Sequence, residues 1–96
     1  MTMHFRIPAA PVAGAPRLRR SQVETLHRIA AGWSAKEIAD EYRVRENAVT
    51  DAVMRIRRHF DARNSVDMVA QALVLGLIDL AELARLRRRR PARGEK

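Results

Sequence analysis

Few side chains in this 96-residue chain could do acid–base or metal chemistry. His4, His27 and His59 are spread too widely to suggest a ligand cluster and read as surface or boundary residues. The absence of cysteine excludes thiolate zinc sites, iron–sulfur clusters and disulfides. Glu37, Asp40 and Glu41 could supply an acid and a base, but no nucleophile or glycine-rich loop accompanies them. They read as the solvated face of a short helix. The expectation is a protein that recognises rather than catalyses: no enzyme, no cofactor and no metal.

Recognition chemistry lies with the arginines. Lys and Arg total 19 against 11 acids, a net charge of +8, and the excess sits at the ends. Arg6, Arg17, Arg19 and Arg20 face no acid over residues 1–20, whereas 85–96 hold seven basic residues against Glu95. Between them acids outnumber bases by ten to eight, except that the stretch Arg43 to Arg63 holds six arginines and three acids. Such a distribution suits a polyanion met by two basic arms and a basic middle. Lys36, Arg45, Arg55, Arg57, Arg58, Arg63, Arg87 and Arg88 are the candidate phosphate contacts. Asn47, Thr50, Asp51 and Met54, interleaved with the middle arginines, have the donors, acceptors and methyl group that read base edges.

Helices must position these groups. Only four residues are aromatic, and alanine, leucine and arginine are abundant, so the chain is expected to be all-α and to form one domain. Met1 to Pro16 holds three prolines and reads as part of a flexible arm over 1–17; its Ala13-Gly14-Ala15 imitates a signal cleavage site, but Arg6, Pro8 and Pro11 break the apolar run that would precede it. Ser21 and Glu24 have capping-box spacing and open a first helix with Val23, Leu26, Ile29 and Ala30 on one face, ended by Gly32. Ser34 and Glu37 repeat the spacing before a short second helix, buried at Ile38, Ala39 and Tyr42. After Arg43-Val44-Arg45, a third helix places Val49, Val53, Ile56 and Phe60 inward. Ser65 caps a fourth that stops at Gly76. Asp79 and Glu82 open a short fifth, ended by four arginines and Pro91. Trp33, beside Gly32, reads as a packing plug. No apolar run approaches the length of a membrane span.

A short helix, a turn of about three residues and a longer helix with one polar face is helix-turn-helix spacing, which sets the second helix of the pair in the DNA major groove. From Leu18 to Ile78 the residues go further. Glu24, Leu26, Ile29, the run Ala30-Ala31-Gly32-Trp33-Ser34-Ala35-Lys36-Glu37-Ile38-Ala39, then Val44, Glu46, Val49, Val53, Ile56, Arg63, Ala70, Ala72 and Gly76-Leu77-Ile78 resemble the LuxR/FixJ-type DNA-binding domain. The resemblance implies a four-helix helix-turn-helix domain over 18–78, with 79–96 as a helical extension and Arg-rich tail, in a stand-alone, GerE-like arrangement. It also implies that the third helix reads DNA and the fourth forms a dimer interface. Departures fall on the reading helix: Ala48, Thr50 and Ala52 stand where the family usually has threonine, lysine and histidine. Asp51 repels phosphate and must accept from cytosine or pair with an arginine. Arg19 replaces the family's capping threonine, and Arg43 occupies a turn position that favours a small residue.

The apolar surplus of the fourth helix agrees with a twofold homodimer through Val66, Val69, Ala70, Leu73, Val74 and Leu77. Such a dimer would set two reading helices about 34 Å apart on a near-palindromic site. The sequence thus leads to a small, cytoplasmic, nucleoid-associated transcription regulator with double-stranded DNA as partner and no membrane contact. Two alternatives stand beside it. One is a module that binds another regulator or RNA polymerase; the other is an architectural or phage-packaging DNA binder of low sequence preference.

Overall fold

The structure, a computed structural model, describes residues 14–91. Among these are five helices and no strand: α1 (Arg20–Ala30), α2 (Ala35–Tyr42), α3 (Glu46–Phe60), α4 (Ser65–Val74) and α5 (Leu80–Arg89). Most of the expected arm over 1–17 lies outside the described residues. Its last residues do not behave as an arm, because Ala15 packs with Leu18 against the core.

Local chemistry sets most helix boundaries. Ser34 and Glu37 form the expected capping box on α2, with Glu37 N–H donating to Ser34 Oγ at 3.1 Å and Ser34 N–H to Glu37 Oε1 at 2.8 Å. Asp79 Oδ1 accepts from the backbone of Ala81 and Glu82 to open α5. Two starts differ from expectation. α1 begins one residue before Ser21, with Arg19 as N-cap and its N–H donating to Gln22 Oε1 at 2.9 Å. A guanidinium has no acceptor, so only Gln22 closes that cap. α4 is capped by Asn64, whose Oδ1 accepts from Asp67 N–H at 2.8 Å, and Ser65 is already helical.

Helices α1 to α4 end in one common way, a residue with positive φ followed by a hydrogen bond back across the last turn. Gly32 (φ 95) and Gly76 (φ 76) do this without strain, while Arg43 (φ 57) and Asp61 (φ 52) do it as side-chain-bearing residues. At Arg43 the turn is closed by Val44 N–H to the Ala39 carbonyl at 3.0 Å. This chirality aims α3 across α2.

The core has two lobes. Leu26, Ile56, Phe60, Met68, Ala72, Leu77 and Ile78 join α1, α3 and α4. Ala31, Trp33, Ile38, Ala39, Val49 and Leu86 join the end of α1, α2, the start of α3 and α5. Ile29, Val53 and Leu83 touch both lobes. A boundary at residue 78 therefore cuts through the second lobe. Leu86 is fully buried, Trp33 Nε1 donates to its carbonyl at 3.0 Å, and α5 belongs to the domain rather than extending it.

Candidate nucleic-acid interface

At about 100° per residue, the core contacts of α3 through Val49, Val53, Ile56 and Phe60 force Asn47, Asp51, Met54, Arg55 and Arg58 onto the opposite side. All five are exposed. Thr50 is exposed on one flank, where its hydroxyl donates to the Glu46 carbonyl at 3.2 Å. That bond occupies the hydroxyl proton and leaves its lone pairs as acceptors. The face thus combines a bifunctional amide, two acceptors and a thioether methyl, flanked by arginines.

The candidate phosphate contacts divide into two groups. Lys36, Arg45, Arg55, Arg58, Arg63 and Arg88 are exposed. Lys36 is paired only with Asp40 at 3.5 Å, a solvent-exposed contact of little energetic weight. Arg57 and Arg87 differ in that each also hydrogen-bonds within the fold, Arg57 half-buried and Arg87 exposed. Arg57 donates to the Arg63 carbonyl at 2.6 Å and approaches Met54 Sδ at 3.5 Å, tying down the loop after α3. Arg87 donates to the Ala31 carbonyl at 3.1 Å, covering the negative end of the α1 dipole. Arg89 is likewise engaged, at 2.8 Å from Glu41.

The fold gives two arginines of the N-terminal basic arm a defined place. Arg17 and Arg19 precede α1 and line, with Arg55, Arg58 and His59 of α3, a cleft of 620 Å³. No acid lines it. The basic run over residues 1–20 marks them along the chain, and Leu18, which packs against the core between them, leaves both beside α3.

A polar cluster behind the interface holds its elements together. Buried Arg28 donates to Glu41 Oε1 at 2.9 Å and to the Glu24 carbonyl at 3.1 Å, with its guanidinium 5.4 Å from the Trp33 ring centre and 5.1 Å from that of Tyr42. The hydrogen bond from Arg28, reinforced by Arg89 against a partial desolvation, holds the Glu41 carboxyl below its ordinary value near 4.5. Burial pushes the Tyr42 hydroxyl up from its usual range. Glu41 is therefore an ion-pair bridge between α1, α2 and α5 rather than part of a solvated face. Tyr42 is 39% exposed, not a core residue. His27 is also a correction, at 3% exposure. Its Nδ1 lies 2.8 Å from the Val23 carbonyl and its Nε2 2.9 Å from the Asp79 N–H, a pairing that the neutral Nδ1–H tautomer satisfies at both ends.

On the far side, Val66 (79% exposed), Leu73 (46%) and Val74 (81%) stand out of α4. Val66, Val69, Ala70 and Leu73 form, with Ile29 and Ala30 of α1, an apolar groove of 390 Å³. Leu77 does not join them. Gly76 turns the chain inward, and Leu77 is 6% exposed in the core.

No described helix is long and apolar enough to cross a membrane. Among the described residues no group of three or more histidines and acids is placed to hold a metal ion. Comparison with known proteins finds no matching family model, no curated relative and no solved structure similar to the chain.

Proposed function

We propose that this protein is a small, dimeric, sequence-specific DNA-binding regulator of transcription, with α3 in the major groove. The observation that carries the reading is the exposed polar face of α3, backed by a buried apolar face and held by a tight turn behind α2. A helix about 10–12 Å wide fits a major groove about 12 Å across. Asn47 pairs with adenine, Asp51 and Thr50 accept from exocyclic amines, and Met54 packs on a thymine methyl. Lys36, Arg45, Arg55, Arg58 and Arg63 neutralise phosphates. The resemblance to LuxR/FixJ-type domains supports the same assignment. Two copies joined through Val66, Val69, Ala70, Leu73 and Val74 present two reading helices about 34 Å apart.

The test is selection of duplexes from a randomised library by the full chain at physiological salt. Enrichment of an inverted repeat with half-site centres about ten base pairs apart is the expected result. Retention without a common sequence supports the architectural reading, and no retention removes DNA as the partner. A second reading, a module that docks on another regulator or RNA polymerase, draws on one observation. Ile38, Tyr42, Val44, Ala48 and Val49 border an apolar groove of 370 Å³ beside the α2–α3 turn.

A further inference from the structure

The arginines of the described chain are not equally available. Arg28, Arg57, Arg85, Arg87 and Arg89 are spent on carboxylates or carbonyls within the fold. The guanidiniums of Arg17, Arg19, Arg55 and Arg58 have no hydrogen-bond or ion-pair partner among the described residues, although the four line one cleft. Four exposed like charges around a common space raise the local positive potential, which attracts an anion and which salt screens. Gln22 and His59 add hydrogen-bonding groups to the same walls. The cleft lies along one side of α3, the side that faces the entrance to α1. On the opposite side Glu46 contributes a negative charge and Arg57 is turned into the loop after α3.

Resting on the DNA-binding reading above, we infer that this cleft is a phosphodiester clamp for one strand at each half-site, so that the two strands bordering each α3 are held unequally. A helix seated in the major groove has one phosphate backbone on each side. The strand on the α1 side meets four guanidiniums, each able to hold two phosphate oxygens. The strand on the other side meets the flank of α3 that carries Glu46 and Arg57, the latter bonded to the Arg63 carbonyl. The guanidiniums of Arg17 and Arg19 therefore serve affinity without touching a base.

The experiment compares the full chain with Arg17→Ala/Arg19→Ala and Arg17→Lys/Arg19→Lys variants, each titrated with duplex DNA across a salt series. Arg19 caps α1 through its backbone N–H, so both variants keep the fold, and far-UV circular dichroism checks this. The dimer then neutralises four fewer phosphates, so the slope of log affinity against log salt on a two-half-site duplex becomes shallower by about 3.6 in the alanine variant, while the lysine variant, which keeps the charges, retains most of it. Methylphosphonate linkages on the α1-side strand of each half-site should reproduce the loss, whereas the same linkages on the other strand of each half-site should leave the alanine-sensitive part of the slope in place. An unchanged slope in the alanine variant, with wild-type chain binding DNA normally, overturns the clamp and leaves the DNA-binding reading standing. Binding of inorganic tripolyphosphate that the alanine variant loses, without any change in the DNA slope, assigns the cleft to a free anion and also overturns it. Failure of the wild-type chain to bind DNA overturns both.

Discussion

The indole Nε1 of Trp33 donates to the backbone carbonyl of Leu86 at 3.0 Å, closed to solvent, and so fastens α5 to the junction between α1 and α2. The junction is the base on which the α2–α3 unit stands, since Ile38, Ala39 and Val49 pack in the same lobe. Arg87 and Arg89 reinforce the attachment from either side, one on the Ala31 carbonyl and the other on Glu41. Three features of α5 thus serve α1 and α2 rather than a ligand.

Removal of α5 should therefore destroy the fold rather than trim it. A chain ending at Ile78 exposes Trp33 and Ala31 and loses the fully buried Leu86, a site where even Leu86→Ala costs about 3 kcal/mol. Circular dichroism of the truncated chain should show loss of cooperative thermal unfolding. A sharp transition close to that of the full chain would show that residues 18–78 fold alone.

Arg43 holds a left-handed conformation at φ 57 in the turn that orients α3. Glycine adopts this conformation without the clash of a Cβ, so Arg43→Gly should raise stability by about 1 kcal/mol, read as a higher urea midpoint at unchanged m-value. A lower midpoint would mean that the side chain contributes more than its backbone strain costs.

Glu41 makes the domain acid-sensitive. Its folded carboxyl titrates below the unfolded one because Arg28, and then Arg89, hold the charged form. The stability this confers is complete above the unfolded value near 4.5 and is lost as pH falls through the lower folded value. Glu41→Gln should cost about 1 kcal/mol near neutrality, reduced by solvent screening of a partly exposed carboxylate, with the difference from wild type shrinking as pH falls below about 4.5. Urea midpoints across that range check it, and a constant difference would contradict it.

Leu73 is the test of the α4 face. It is 46% exposed and borders the groove shared with α1, so Leu73→Arg should leave the fold intact and break the proposed dimer. Sedimentation should report a 10.9 kDa monomer in place of a species twice that mass, with weakened binding to a two-half-site duplex. An unchanged mass and affinity would place self-association elsewhere.

Local signals carry much of this architecture. The caps at Ser34 and Asp79, the stop at Gly32 and the apolar steps Val49, Val53, Ile56 and Phe60 each act within a turn or two, so their consequences are readable along the chain. What is not readable comes from distance. Ser21 has the better capping chemistry, but burial of Leu18 commits the preceding residues to the fold and α1 starts earlier. Leu77 continues the apolar pattern of α4, yet the positive φ of Gly76 redirects it to the core. Arg57 and Arg87 look like surface cations until their carbonyl acceptors, on Arg63 and Ala31, are brought near by tertiary structure. His27 looks like a boundary residue for the same reason, since its partner Asp79 lies across the fold.

Whether the exposed face of α3 reads bases is decided by a specificity ratio. The affinity of the full chain for its selected duplex, divided by that for a scrambled duplex at the same salt, is compared with the ratio for Asn47→Ala/Met54→Ala. Both side chains stand on the outer face of α3, away from the core. Each base contact is worth about 1–3 kcal/mol of discrimination, so the ratio should fall by at least about tenfold while affinity for the scrambled duplex stays the same. A ratio that survives this double substitution and the further changes Thr50→Ala and Asp51→Ala would refute base reading by this face and place recognition outside α3.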